Sequence, residues 1–123
     1  MNVKLDNQIE SRLIFACSGA SDVGHLTDRA VRTLDREGVG RMYCLAGIGG
    51  RVESMLATTR AAKKVLVIDG CEQECGRKTL QQAGFGDFLH LRLTNLGFQK
   101  GKSHETPGDL EVITQEAVDL LNC

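Results

Sequence analysis

Residues 64–71 have the sequence KVLVIDGC, which contains the clearest strand of the chain. Its apolar, β-branched centre is typical of a strand that is buried on both faces of a sheet. The Asp-Gly-Cys at its end terminates the strand, and a helix is predicted to begin after Cys71 and to end at Gly84. A buried strand that leads into a helix is the repeating unit of parallel sheets, so this stretch predicts an α/β protein.

The same pattern is present on both sides of this stretch. Residues 13–17 and 41–45 are predicted strands that each lead into a helix, with a tight glycine turn at 47–50 before the second helix. Residues 88–94 alternate leucine with more polar residues, which indicates an edge strand, and Thr106 is the predicted N-cap of a last helix. The first and third strands are the most apolar and belong in the middle. We therefore expect a three-layer, doubly wound α/β fold, Rossmann-like or flavodoxin-like, with about four parallel strands in the order 2-1-3-4.

Length, charge and cysteine content restrict the classes of function. A chain of 123 residues is expected to form a single domain, residues 1–123, and its formal charge of −1 leaves no basic stripe for nucleic acid. Neither the opening residues nor any later stretch is apolar enough for a secretory signal or a membrane span, so we expect a cytoplasmic protein with no membrane partner. Five cysteines in a reducing compartment are more often metal ligands or reactive thiols than disulfides.

Four of the cysteines are predicted to meet at one edge of the sheet. Cys17, Cys44 and Cys71 are separated by equal gaps of 27 residues, close to the length of a strand-helix-strand unit, and each follows a predicted strand. In an open α/β sheet, ligands bind at the carboxyl ends of the strands, where the strand order reverses. Cys75, four residues after Cys71, is expected on the same side of the first helical turn. Four thiolates are the ligands of tetrahedral zinc or of an iron–sulfur cluster, so these four cysteines predict a metal site, and Cys123 is predicted to be an incidental, exposed thiol.

Three motifs carry a resemblance to a known family: ACSGAS at 16–21, CLAGIGG at 44–50, and IDGC at 68–71 followed by Cys75. They resemble the DGC-domain family, which takes its name from the Asp-Gly-Cys motif. The family is described as zinc-binding on account of four potential chelating cysteines, and all four positions are present in this chain. The resemblance therefore implies zinc in preference to other metals. It implies no substrate and no reaction.

A thiol-dependent redox or sulfur-transfer enzyme is the alternative to a zinc protein. Cys17 precedes a polar turn and a helix start, which favours a reactive thiolate, and Cys71 or Cys75 would then resolve the intermediate. A cysteine phosphatase is excluded, because such enzymes need an arginine six positions after the cysteine and Val23 occupies that position. Val52 occupies the place of the third glycine of a dinucleotide fingerprint in residues 47–52, which argues against nucleotide binding. The sequence leaves open whether the protein is an enzyme.

Other polar residues near the predicted site carry weaker signals. Asp69, at the end of the third strand, either orients the loop by accepting N–H bonds or is an ordinary charged turn residue. Lys100 and Lys102 follow the fourth strand, where they either attract an anion to the site or are simply solvated. The three histidines are expected on a helix surface, in mid-strand and in a polar loop, and none is predicted to be a ligand: His25, His90 and His104.

Overall fold

The computed structural model describes residues 11–103 and 105–123. Two predictions fall outside these ranges: the lack of a secretory signal in residues 1–10 and the loop position of His104. Within the described ranges, no helix is both long and apolar enough to cross a lipid bilayer.

The described residues contain a four-stranded sheet in which all strand pairs are parallel. Its strands are Arg12–Ala16 (β1), Arg41–Met42 (β2), Lys64–Asp69 (β3) and Leu89–Arg92 (β4). The order β2-β1-β3-β4 confirms the predicted order. The two most apolar strands, β1 and β3, are in the middle, and the direction of strand progression reverses between them.

Five α-helices are found in the described part of the chain, with one 3₁₀ turn at Leu93–Leu96. The helices are Asp22–Arg36 (α1), Leu45–Gly49 (α2), Glu53–Ala61 (α3), Cys75–Gln82 (α4) and Pro107–Leu121 (α5). The Ser21 hydroxyl accepts the N–H of Gly24 at 3.1 Å, and the Thr106 hydroxyl accepts that of Asp109 at 3.1 Å. The last helix therefore begins at its predicted N-cap, and Ser21 caps the first helix, because these hydroxyls satisfy amides that have no partner inside the helix.

Successive residues of the central strands point to opposite faces, which gives the sheet two separate apolar layers. One layer lies between the sheet and helices α1 and α5, and the other lies between the sheet and α2, α3 and α4. The central strands contribute Ile14, Ala16, Leu66 and Ile68 to the first layer, and Leu13, Phe15, Val65 and Val67 to the second. Helices on both faces make this a three-layer, doubly wound α/β fold, as predicted.

Three local predictions are wrong, all at the carboxyl edge of the sheet. Strand β2 is only two residues long, because the chain leaves the sheet to form α2 in place of the predicted glycine turn. That helix buries Ile48 in the second apolar layer. Helix α4 begins at Cys75 and not directly after the Asp-Gly-Cys motif, since the chain first passes through a left-handed residue, Glu74. Strand β4 ends at Arg92, where the 3₁₀ turn replaces the last residues of the predicted strand.

Candidate functional site

Cys17 lies directly after β1, at the connection to α1. Its N–H donates to the Ile68 carbonyl at 3.1 Å, which extends the pairing of the two central strands by one residue. Its Sγ is 3.4 Å from the hydroxyl oxygen of Thr27. Because that hydroxyl donates its hydrogen to the Gly24 carbonyl at 2.7 Å, the Cys17 thiol is the donor in the sulfur–oxygen contact. When Cys17 ionises, rotation of the Thr27 hydroxyl can supply a hydrogen bond to the thiolate.

The turn after Cys17 has a strained backbone that is held by side chains of α1. Ser18 has a left-handed φ of 49°, a conformation that costs a non-glycine residue roughly 1–2 kcal/mol. The Ser18 N–H donates to Thr27 Oγ1 at 3.2 Å, and the Ser18 hydroxyl donates to Asp28 Oδ1 at 2.8 Å. Backbone strain of this kind persists where the surrounding structure imposes it, and it is concentrated at functional sites.

Three of the four predicted ligands line one cavity at the carboxyl edge of the sheet. The cavity has a volume of about 710 Å³, and Cys17, Cys44 and Cys75 are among its lining residues. Cys44 is the N-cap of α2 and Cys75 is the first residue of α4, so two helix starts position these side chains. Both are exposed, whereas Cys17 is half-buried. The fold thus brings thiols from three different connections to one opening.

The same cavity contains an ion pair on its α1 side, formed by Asp28 and Arg32. Arg32 Nε donates to Asp28 Oδ2 at 2.7 Å. Burial raises the pKa of Asp28, but the hydrogen bonds from Arg32 and Ser18 outweigh burial, so the pKa lies below its ordinary value. The carboxylate is therefore ionised at neutral pH, and it holds a positive guanidinium at the wall of the cavity that the three thiols share.

A single buried carboxylate closes the loop that carries Cys71 and Cys75. The Asp69 side chain, only 1% exposed, accepts the N–H of Gly76 at 2.7 Å and the N–H of Arg77 at 3.0 Å. It therefore caps α4 from the end of the preceding strand. We call residues 69–76 the cysteine loop. The prediction that Asp69 orients this loop through N–H bonds is confirmed.

Side chains of β4 hold the cysteine loop from the edge of the sheet. His90 Nε2 is 2.9 Å from Asp69 Oδ2. The guanidinium of Arg92 donates to Glu74 Oε2 at 3.3 Å, and that of Arg77 donates to Glu74 Oε1 at 2.8 Å. Glu74 has a left-handed φ of 52°, so a strained residue adjoins Cys75 as one adjoins Cys17.

Close contacts require two glycines in the cysteine loop. A Cβ at Gly76 would lie 2.9 Å from Asp69 Oδ1 and 2.7 Å from Val67 Cγ2, so the carboxylate reaches the α4 amides only because that side chain is absent. A Cβ at Gly70 would lie 2.9 Å from the carbonyl carbon of Val23, in the first turn of α1. The Asp-Gly-Cys motif therefore joins β3 to two helix starts.

Residues 97–103, together with Glu105, form a strap that is fastened to the start of α1. The two carboxylate oxygens of Asp22 accept the N–H of Gly101 at 2.8 Å and that of Ser103 at 2.9 Å. Asp22 is the first residue of α1, so this single side chain joins the strap to the helix that follows Cys17.

The strap also places a cation beside Cys71, the one predicted ligand that does not line the shared cavity. Lys100 Nζ is 3.9 Å from Cys71 Sγ, so this lysine faces the site, and the attraction of an anion stays a prediction. At the end of the strap, Glu105 contacts His25 Nε2 at 2.8 Å and also Arg29. His25 is exposed and pairs with the strap, so the prediction of a helix-surface histidine is confirmed.

Acidification is expected to break the two contacts by which Asp22 joins the strap to α1. The N–H groups of Gly101 and Ser103 hold the pKa of Asp22 below its ordinary value of 3.8. A carboxyl whose pKa is lower in the folded state stabilises the fold fully above the unfolded pKa, and this contribution is lost as pH falls through the folded-state pKa. In an NMR titration, the amide shifts of Gly101 and Ser103 should change with a midpoint below pH 3.8, and Asp22→Asn should abolish the change. A midpoint at or above pH 3.8 would contradict this prediction.

The four predicted ligands are not at coordination distance in this structure. Across residues 11–103 and 105–123, no three Cys, His, Asp or Glu side chains are close enough together to hold a metal ion. The spacing of Cys71 and Cys75 predicts that both lie on one helical turn. This prediction is wrong, because α4 begins only at Cys75. Cys123 is exposed, as predicted, and lines a separate cavity at the opposite end of the sheet.

The sequence did not predict the side chains that hold the turn after Cys17 and the cysteine loop, which we together call the cysteine turns. Thr27 is fully buried on the apolar face of α1, and a polar residue at such a position is the signal that could have identified it. His90 lies in mid-strand as predicted, but it contacts Asp69. His90 and Arg92 share a face of β4 because strand side chains alternate, and that alternation is visible in the sequence.

The fold and the cysteine turns define a class of α/β proteins that carry thiols at the carboxyl ends of parallel strands. The chain belongs to the DGC domain family, since its residues 13–118 match the model of the DGC domain. It is similar to the anaerobic and virulence modulator AnvM of Pseudomonas aeruginosa, with 35% identity over 88 residues, which cover 72% of this chain and 67% of that protein. No solved structure matches the chain. The resemblance that the three cysteine motifs carry is therefore confirmed.

Proposed function

We propose that this protein binds one zinc ion through the thiolates of Cys17, Cys44, Cys71 and Cys75. The observation that carries the proposal is the shared cavity, because three of the four thiols line it at the edge of the sheet where α/β proteins bind their ligands. Family membership supports the same residues, since all four lie in the segment that matches the DGC domain.

The donor set fits zinc. Four cysteine thiolates are a common tetrahedral ligand set for this ion, which has no geometric preference of its own to oppose them. Coordination requires the sulfurs to approach one another, and the two exposed cysteines have side chains that solvent leaves free to rotate. Two neighbouring groups would stabilise the thiolates: the Thr27 hydroxyl, once it rotates from the Gly24 carbonyl towards Cys17, and the positive Lys100 ammonium next to Cys71.

The location of Cys17, Cys44 and Cys75 beside an open cavity favours a metal ion that can be exchanged. Structural zinc sites usually join ligands that are close in sequence, whereas this set comes from three strand-to-helix connections and borders a cavity. We therefore propose metal sensing, carrying or delivery as the role. The similar protein from Pseudomonas aeruginosa is named a modulator, which favours sensing. We also propose a cytoplasmic location, because all five cysteines are free thiols and the cytoplasm is a reducing environment.

A thiol-dependent redox or sulfur-transfer enzyme is the second candidate. The Cys17–Thr27 contact favours it, because a hydroxyl 3.4 Å from the sulfur can stabilise an attacking thiolate. The Cys17 thiolate would attack a substrate disulfide, and one substrate sulfur would leave as a thiolate. Cys71 or Cys75 would then displace the second substrate sulfur and leave an intramolecular disulfide with Cys17.

Elemental analysis of protein purified without added metal distinguishes the two candidates. We expect about one zinc per chain in the wild type. Cys71→Ser should lose most of its zinc, because a serine hydroxyl is a poor zinc ligand at neutral pH. Cys123→Ser is the matched control: it removes a thiol at the opposite end of the sheet and should keep the wild-type zinc content.

Three results would contradict the zinc proposal. A folded wild-type chain without stoichiometric metal would make the thiol-dependent enzyme the leading candidate. Equal loss of zinc from Cys71→Ser and Cys123→Ser would show that the metal is not held at the carboxyl edge. A brown, oxygen-sensitive protein that contains iron and sulfide would indicate an iron–sulfur cluster in place of zinc.

A further inference from the structure

Two side chains of β4 reach two of the three carboxylates of the cysteine loop. His90 contacts Asp69 and Arg92 contacts Glu74, and the two residues lie on the same face of the strand because they are two positions apart. We propose that His90 and Arg92 are positioning residues, which hold the cysteine loop in the place that Cys71 and Cys75 need for zinc. This inference rests on the proposed function, because it assigns the β4 face a part in metal affinity.

The His90 contact fixes the carboxylate that caps α4. A carboxylate has no hydrogen to give, so His90 Nε2 is the donor in the 2.9 Å contact with Asp69 Oδ2. The same oxygen accepts the N–H of Arg77, while Oδ1 accepts that of Gly76. A carboxylate held from two sides has one rotamer, and that rotamer sets where α4 and its first residue, Cys75, begin.

The Arg92 contact fixes the residue immediately before Cys75. Glu74 has a left-handed backbone, and its carboxylate lies between the guanidinium groups of Arg92 and Arg77. Arg92 is itself anchored, since its second terminal nitrogen donates to Asn95 Oδ1 at 2.8 Å. The anchored guanidinium therefore supports a strained backbone conformation that directs the chain into α4.

The side chains of His90 and Arg92 are partly exposed and lie outside the core of the fold. The side chain of His90 is 21% exposed and that of Arg92 is 28% exposed, whereas Asp69 is 1% exposed. Neither belongs to the two apolar layers of the described residues. Their contacts go to the cysteine loop and to the 3₁₀ turn, so truncating them should alter the loop while leaving the apolar layers intact.

The test measures zinc affinity and amide hydrogen exchange in the same set of variants. His90→Ala and Arg92→Ala should each weaken zinc binding about 10- to 100-fold, the range found when residues that orient metal ligands are removed. In protein treated with a chelator, His90→Ala should also raise the exchange rates of the Gly76 and Arg77 amides about tenfold. His90→Gln keeps an N–H donor for Asp69 and should recover most of both losses. Arg60→Ala, which breaks a surface ion pair with Glu53, is the control and should match the wild type.

The outcomes separate the inference from the function on which it rests. Unchanged zinc affinity in His90→Ala and Arg92→Ala would overturn the inference, and so would a failure of His90→Gln to recover what His90→Ala loses. If the wild type binds no zinc, the proposed function fails, and amide exchange alone then decides whether β4 positions the loop. Unchanged exchange of the Gly76 and Arg77 amides would overturn the inference in that case as well.

Discussion

Asp69→Ala is expected to lower the free energy of unfolding of the metal-free protein by about 3 kcal/mol. The substitution removes a carboxylate that is 1% exposed and accepts two backbone amides and a histidine nitrogen. Each buried donor that is left without an acceptor costs about 1–3 kcal/mol. Gly76 is buried, so water can replace the lost acceptor only if the cysteine loop opens.

Denaturant unfolding with a chelator and a thiol reductant measures this effect. Asp69→Asn keeps one carbonyl oxygen as an acceptor and should be less destabilised than Asp69→Ala. Asp119→Ala is the matched control, because Asp119 is exposed on α5 and its side chain accepts a surface contact from Gln115. Its change should stay within about 0.5 kcal/mol. Equal unfolding midpoints for Asp69→Ala and Asp119→Ala would show that the cysteine loop does not need the carboxylate.

Gly70→Ala is expected to destabilise the protein by about 1–3 kcal/mol, as overpacking of a tight contact does. The added Cβ would lie 2.9 Å from the Val23 carbonyl carbon and 3.0 Å from the Gly24 nitrogen. Both atoms belong to the backbone of α1, so they cannot move aside as a flexible side chain could. Either β3, which leads into the cysteine loop, or the start of α1, which follows the turn after Cys17, has to shift.

Gly86→Ala is the matched control for Gly70→Ala. A Cβ at Gly86 would meet no atom within 4 Å, so Gly86→Ala adds the same methyl group without a clash. It should unfold at about the wild-type midpoint or slightly above it, because alanine restricts the unfolded chain. The two variants should therefore differ clearly in thermal or denaturant unfolding. If Gly70→Ala is as stable as Gly86→Ala, the close packing of the motif on α1 is not required for stability.

The site was only partly predictable from the sequence. The equal spacing of Cys17, Cys44 and Cys71 places each of them just after a strand, and the structure has all three at these positions. The spacing of Cys71 and Cys75 suggested one helical turn, but the chain between them forms a capped loop instead. An i to i+4 pattern cannot show this, because the helix start depends on where a carboxylate finds free amides.

The sequence alone was enough to predict the α/β class, the strand order and the edge of the sheet at which Cys17, Cys44, Cys71 and Cys75 lie. It could do so because burial on two faces selects continuous apolar strands, and because parallel strands need helical crossovers. Only the tertiary structure decided which side chains hold the cysteine turns. Thr27 acts on Cys17 from α1, and His90 and Arg92 act on the cysteine loop from β4. These contacts join residues that are far apart in the chain, so they exist only once the sheet and its helices have packed.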